Sequence, residues 1–319
     1  MEDSLGSVTL LVKSGGAEAV PEWQECFGEF APGLNVRWWD DPDVDPSDVD
    51  YVLVWEPDPG RLATFPNLRL IFSSGAGVDH ILQDPAWPAH IPIVRMSTKD
   101  TEQRMAEFVL LAVLMLLKDV KRVVNQQAAK HWDTFDSPRS ALQTRVGILG
   151  LGNLGSASAV MLRRIGFVTA GWSRSAKHIP GVESFAGEAG FAPFLARTDI
   201  LVCLLPQTPQ TQGIICRDTI ACLPAGASIV NVGRGSHVRV PDLLAALDSG
   251  HLQGAVLDVF DEEPLPPDSP LWVHPKVIVT PHIGADASRR ERARYVAEVI
   301  NAHRAGGEIP NVYDVKRGY

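Results

Sequence analysis

Two series of short, uninterrupted apolar runs divide the chain. The first hundred residues carry "SVTLLV", "NVRWW", "YVLVW", "LRLIFSS" and "IPIVRM", separated by connections marked with Pro and Gly. From residue 145 a second series runs "RVGILGLG", "FVTAGW", "ILVCLLP", "ASIVNVGRG", "GAVLDVF" and "VIVTPHI". Val, Ile and Leu on consecutive positions predict strands covered on both faces, because a strand with one wet face alternates instead. Each series therefore predicts a parallel sheet flanked by helices, and the fold class is α/β with two doubly wound domains.

Between the series, "TEQRMAEFVLLAVLMLLKDVKRVVNQQAAKHW" is apolar on most faces in its middle and charged at its end. That pattern predicts one long helix, buried between layers, at the passage from one domain to the other. The last helical stretch, "ASRRERARYVAEVINAHRAG", ends at Gly306 and Gly307 and is expected to return to the N-terminal sheet. The expected domains are thus residues 1–98 with 286–319, and an inserted domain at 99–285.

Composition narrows the partners. The 319 residues, 45% of them hydrophobic, suffice to fill the cores of about two domains. A net charge of −9 disfavours nucleic acid and anionic membrane as partners, so an anionic substrate has to be caught by local positive groups. The N-terminus "MEDSLGSVTLLVKS" has acids where a secretory leader has basic residues, and the longest apolar run, Phe108 to Leu117, is about half a bilayer span. A cytoplasmic protein is expected. The four cysteines form no CxxC pair and adjoin no His cluster, so reduced thiols and no metal site are expected.

Gly150, Gly152 and Gly155 of "GLGNLG" follow the strand "RVGIL" and open the helical "SASAVMLRRIGF". In such a turn the first glycine permits the tight bend and the second lets the backbone approach a pyrophosphate. The third lets helix and strand pack closely, and the helix N-terminus stabilises the anion. A dinucleotide site is predicted. At the end of the next strand, an acid would bind a ribose 2′-OH and repel a 2′-phosphate, but this chain has Trp172, Ser173, Arg174 and Ser175, with Lys177 in reach. An Arg among hydroxyls attracts the extra phosphate, so the cofactor is expected to be NADP(H).

Arg234 in "NVGRGS", Glu263 in "DVFDEEP" and His282 in "TPHIG" each follow an apolar run. Each is thereby placed just past the carboxyl end of a predicted strand, where open α/β sheets bind ligands. Singly they read as a solvated cation, a surface acid and a structural imidazole. Together with "SSGAGVDHI", "GLGNLG", "LPQTPQT", "LDVFDEEPLP" and "TPHI", their order resembles the D-isomer-specific 2-hydroxyacid dehydrogenases over nearly the whole chain. Within that family, "WSRS", "VWEP", "ALDSGHLQGAVLDVFDEEPLPPDSPLW" and the final "RGY" are most similar to the bacterial glyoxylate/hydroxypyruvate reductases of the A type, which use NADPH.

The resemblance implies a Rossmann cofactor domain inserted into a smaller flavodoxin-like substrate domain. It also implies a homodimer in which the helix near residues 101–124 and the following arm meet a second chain. Arg234 would bind the substrate carboxylate and polarise its keto oxygen, His282 would protonate that oxygen, and Glu263 would hold His282. Glu262 is the competitor for that last role, and Glu263 is preferred because it directly precedes Pro264. Gly75, Ala76, Gly77 and Val78 would offer backbone N–H groups to the carboxylate. Asn153, Leu154 and Pro206 would line the cofactor. Asp258 would face the nicotinamide carboxamide, or else be a strand-end acid satisfied by backbone donors. Trp55 would wall a pocket suited to small acids, or lie in the core. Met96, Arg95 and Arg104 lie near the expected domain passage and carry no assignment.

The expected reaction is NADPH-dependent reduction of small 2-keto acids, glyoxylate and hydroxypyruvate, to D-2-hydroxy acids, with His282 as general acid. Two alternatives stand beside it. One is another 2-ketoacid reductase of the family or a phosphoglycerate-type dehydrogenase, which the absence of a domain after Tyr319 disfavours. The other is a dinucleotide-sensing corepressor of the same fold, which the negative charge and the complete Arg, Glu and His set disfavour.

Overall fold

A computed structural model describes residues 8–136, 139–315 and 318. The chain divides into two compact units, one formed by Met1–Asp100 with Ala287–Tyr319 and the other by Thr101–Asp286. Of the terminal "RGY", only Gly318 lies among the described residues.

In the first unit, β1 (Thr9–Lys13), β2 (Asn35–Trp38), β3 (Val49–Val54), β4 (Leu70–Ser73) and β5 (Ile93–Val94) form a parallel sheet in the order β2-β1-β3-β4-β5. This is the flavodoxin-like order. Leu10, Val12, Tyr51, Leu53, Leu70 and Phe72 enter one core with Trp23 and Phe27 of helix Val20–Phe30 and with Val296 and Ile300 of helix Arg289–Arg304. The intervening Leu11, Val52, Val54 and Ile71 enter a second core with Trp39, Leu62, Phe65 and Ile81. Successive strand residues point to opposite faces, so two buried faces require continuous apolar runs.

The C-terminal helix is anchored at its start by Ser288, whose hydroxyl accepts the Glu291 N–H at 3.2 Å. Glu291 in its first turn and His303 and Arg304 in its last complement the helix dipole.

The second unit holds β6 (Arg145–Leu149), β7 (Val168–Ser173), β8 (Glu183–Ala186), β9 (Ile200–Cys203), β10 (Ala227–Asn231), β11 (Leu252–Leu257) and β12 (Val277–Val279). All pair in parallel, in the order β12-β11-β10-β9-β6-β7-β8. The order turns back between β6 and β9, the Rossmann switch point at which ligands bind. Here too the side chains alternate, with Ile148, Val202, Val230 and Val256 in one core and Leu149, Cys203, Ile229 and Leu257 in another.

Two elements differ from the sequence expectation. The edge strand β8, "ESFA", is absent from the predicted series because all four of its residues are exposed or half-buried, so no apolar run marks it. The single long helix is in fact two, Lys99–Leu117 and Val120–Ala128. Asp119 between them adopts φ 48°, a left-handed conformation that Asp tolerates better than most residues, and its N–H closes a tight turn on Leu116 O. Nor is this helix buried all round. Met105, Ala106, Val109, Ala112 and Val113 are buried, whereas Leu111 is 49% exposed.

Candidate active site

The glycine turn is shaped by contacts that no side chain could share. Gly150 leaves β6 at φ 99°, and its N–H donates to Trp172 O at 2.8 Å, so the turn lies against the end of β7. A Cβ on Gly155 would fall 1.8 Å from Gly150 O, which reserves the position for glycine if helix Asn153–Ile165 is to close on the strand. At Gly152, the N-cap of that helix, a Cβ would meet open space, and no side chain caps the helix start. Asn153 is exposed and Leu154 half-buried beside it. The turn thus presents helix amides and close backbone access, and it fits a dinucleotide pyrophosphate.

The basic segment sits alongside. Ser173 ends β7 and its hydroxyl donates to Ser175 O at 2.8 Å, while the Lys177 N–H donates to Ser184 Oγ at 3.1 Å. Arg174, Ser175 and Lys177 are exposed. Pro206, just past β9, is also exposed, and its carbonyl accepts from Thr211 Oγ1 at 2.7 Å.

At the far strand ends, His282 Nδ1 lies 2.7 Å from Glu263 Oε2, with the two side chains 33% and 31% exposed. Glu263, not its neighbour Glu262, makes this pair. The other carboxylate oxygen of Glu263 accepts the Phe260 N–H at 2.8 Å. Burial pushes the Glu263 carboxyl up. The hydrogen bonds from His282 and Phe260 and the charges of His282 and Arg234 outweigh it and hold the group below its ordinary value.

Arg234 lies between β10 and β11 in a loop pinned by Asn231, whose side chain accepts the Gly233 N–H at 3.2 Å and donates to Arg234 O at 2.8 Å. A Cβ on Gly235 would fall 1.9 Å from the Phe260 carbonyl carbon, so the Arg234 loop runs directly against the segment that holds Glu263. Asp258 is buried, and its carboxylate accepts from Thr280 Oγ1, Ile283 N and Gly284 N at 2.6, 3.0 and 2.9 Å. One hydroxyl and two backbone N–H groups thus hold this carboxylate at the strand end.

In the first unit, Trp55 follows β3, is half-buried, and stacks on His80 with ring centroids 4.4 Å apart. A Cβ on Gly75 would stand 3.0 Å from the Trp55 ring, so a larger residue there would press on this aromatic, which no sequence motif announces as its neighbour. The Gly75 N–H donates to Ser73 Oγ at 3.2 Å, and Ser73 Oγ donates to Gly77 O at 2.7 Å. Ala76 and Gly77 are half-buried and Val78 is buried. Met96 N–H donates to Gly75 O at 3.0 Å, and Arg95 N–H donates to Asn311 O at 3.1 Å. Among the described residues, no group of three or more His, Cys, Asp or Glu could hold a metal ion, and no helix is long and apolar enough to cross a membrane.

Residues 110–284 match the D-isomer specific 2-hydroxyacid dehydrogenase, NAD binding domain. The chain belongs to the D-isomer specific 2-hydroxyacid dehydrogenase family. This 2-hydroxyacid dehydrogenase is 39% identical over 303 residues to glyoxylate/hydroxypyruvate reductase A of Yersinia enterocolitica, covering 93% of this chain and 96% of the relative. A D-isomer specific 2-hydroxyacid dehydrogenase from Xanthobacter autotrophicus Py2, solved with NADPH and MES, superposes with a TM-score of 0.91 at 41% identity, over 98% of this chain and all of that one. The NADPH-dependent glyoxylate/hydroxypyruvate reductase of Sinorhizobium meliloti, solved with NADP and sulfate, gives 0.90 at 36% identity with coverage of 98% and 100%.

Proposed function

We propose that this dehydrogenase reduces small 2-keto acids such as glyoxylate and hydroxypyruvate to D-2-hydroxy acids with NADPH. The single observation that carries the reading is the 2.7 Å pair of His282 and Glu263, set at strand ends of the same sheet that presents Arg234 and the glycine turn. The reductase names and NADP-bound states of its relatives favour it over a dinucleotide-sensing corepressor.

When bound, the nicotinamide supplies the hydride that reaches the keto carbon. Arg234 holds the substrate carboxylate and draws charge toward the keto oxygen as it becomes an alkoxide. With Nδ1 engaged by Glu263, His282 passes its proton to that oxygen from Nε2. Glu263, ionised, stabilises the imidazolium that precedes the transfer. In the first unit, the Gly75, Ala76, Gly77 and Val78 loop and Trp55 serve the 2-keto acid, with the Trp55 ring favouring small substituents. In the second, Gly150, Gly152, Asn153, Leu154 and Gly155 receive the pyrophosphate and Pro206 lines the cofactor. Ser173, Arg174, Ser175 and Lys177 receive the 2′-phosphate. Asp258, through the backbone it binds, sets the nicotinamide side of the His282 segment. The first unit is then the substrate domain and the second the cofactor domain.

A cytoplasmic homodimer completes the proposal. A second copy of the chain would cover Leu111, Val123, Val124 and Trp132, which are 49%, 45%, 50% and 95% exposed. The test is NADPH oxidation, followed by absorbance, across a panel of 2-keto acids. Turnover of glyoxylate and hydroxypyruvate above branched or aromatic acids supports the reading, and no turnover of any 2-keto acid sinks it.

A further inference from the structure

Behind Arg234 lies a fully buried imidazole to which the mechanism above gives no part. His237 closes the short helical turn Gly235–His237, and its ring nitrogens are both engaged. Nδ1 accepts the backbone N–H of Arg234 at 3.1 Å, and Nε2 lies 3.2 Å from Pro206 O. A neutral imidazole has one donor and one acceptor, so acceptance at Nδ1 puts the proton on Nε2 and directs it to Pro206 O. The ring is accommodated by its surroundings. A Cβ on Gly233 would stand 2.9 Å from Nδ1 and 3.0 Å from Leu205 O, so the residue before Arg234 has to be small. Cys203 Sγ lies 3.5 Å from Nδ1, and burial pushes its thiol up to about 12, which keeps it a neutral S–H neighbour.

We propose that His237 is a positioning residue that ties the Arg234 backbone to the Pro206 carbonyl, so that one buried ring sets where the Arg234 side chain starts relative to the loop after β9. Asn231 holds the Arg234 carbonyl and His237 holds its N–H, which fixes the residue from both sides. The inference rests on the reading of Arg234 as the cation for the substrate carboxylate. A ring that merely filled space would be indifferent to which nitrogen is retained. A clamp is not. In His237→Asn the side-chain oxygen replaces Nδ1 and keeps the bond to Arg234 N–H. In His237→Gln the side-chain NH₂ replaces Nε2 and keeps only the bond to Pro206.

The full-length protein is assayed with glyoxylate and NADPH for the wild type, both variants and Arg234→Ala, with KM, kcat, Tm and NADPH affinity measured for each. His237→Gln is expected to lower kcat/KM for the keto acid by about ten- to hundredfold, mainly through KM, as a small misplacement of a binding group does. NADPH affinity should not follow it, and His237→Asn should retain the wild-type KM. Equal losses in both variants that track Tm overturn the inference, as does an unchanged keto-acid KM in His237→Gln while Arg234→Ala loses it. An unchanged KM in Arg234→Ala instead overturns the reading of Arg234, and the inference with it. Histidine-selective ¹⁵N NMR of the unmutated protein tests the clamp without any substitution. A buried ring carrying its proton on Nε2 supports it, and one carrying a proton on Nδ1 refutes it.

Discussion

Asp258 holds the backbone of His282 and of the two residues that follow it. Its own carbonyl accepts the His282 N–H at 2.9 Å, and its carboxylate accepts the N–H groups of Ile283 and Gly284. His282 is thereby kept at φ 54°, a left-handed conformation that costs a non-glycine residue about 1–3 kcal/mol and persists only where its surroundings enforce it. Asp258→Asn replaces an acceptor by a donor facing backbone N–H and leaves a buried group unpaired, a loss of about 1–3 kcal/mol. Both kcat and Tm are expected to fall. A variant with wild-type kcat would show that the segment holds His282 without this carboxylate.

His282→Ala removes the proton donor but leaves the glycine turn untouched. Reduction of glyoxylate is expected to slow by about 10²- to 10⁴-fold, the usual value of a positioned acid, while NADPH affinity stays near that of the wild type. Steady-state assays and fluorescence titration with NADPH read the two quantities separately.

The pH dependence has a defined sign. Because Glu263 is held below its ordinary value, it is ionised throughout the neutral range and is protonated only as pH falls through that depressed value. Reduction needs the protonated imidazole, so its rate should fall toward alkaline pH, while oxidation of the hydroxy acid should rise there. A reduction rate that climbs steadily above neutral pH would contradict His282 as the donor.

Arg174 and Ser175 lie exposed at the end of β7, with Ser173 half-buried before them, beside the turn at Gly150. Arg174→Asp replaces attraction for a 2′-phosphate with repulsion, and the ratio of kcat/KM for NADPH over NADH should drop by about tenfold or more, the equivalent of one charge-assisted hydrogen bond. An unchanged ratio would assign the phosphate to other residues.

Asp199, with a side chain only 6% exposed, receives Arg145 at 3.0 and 2.7 Å and Arg139 at 2.8 Å, which joins the start of β6 to that of β9. Burial raises its carboxyl, but the bonds from the Arg145 side chain and backbone and the nearby positive charges bring the net shift downward. A depressed carboxyl contributes stability that is fully present above its ordinary value, near 4, and is lost as pH falls through the lowered one. Asp199→Asn should therefore lower Tm at neutral pH, by about 1–3 kcal/mol in stability, and narrow its gap to the wild type in acid. Thermal melts from pH 7 to 3 check both.

Much of the architecture is determined by local pattern alone. Residues such as Leu10 and Leu11, or Ile148 and Leu149, are consecutive and apolar because they face opposite cores, so continuous runs reveal a sheet covered twice. The glycine spacing at 150, 152 and 155 likewise announces its turn, since the geometry it permits is set within six residues. Where a strand has no core to face, as in β8, or where one acid takes a left-handed turn, as at Asp119, pattern is silent.

What the chain order cannot contain is approach between distant segments. The 2.7 Å contact of Glu263 with His282, the capture of the 282–284 backbone by Asp258, the close approach of Gly75 to Trp55 and of Gly235 to Phe260, and the bridge that His237 makes to Pro206 all join residues from separate strands or loops. Hydrophobic periodicity records only which face is buried, whereas hydrogen bonds and van der Waals exclusion act over a few ångströms. Those distances come into being only when the sheets form and the loops at their ends are brought together.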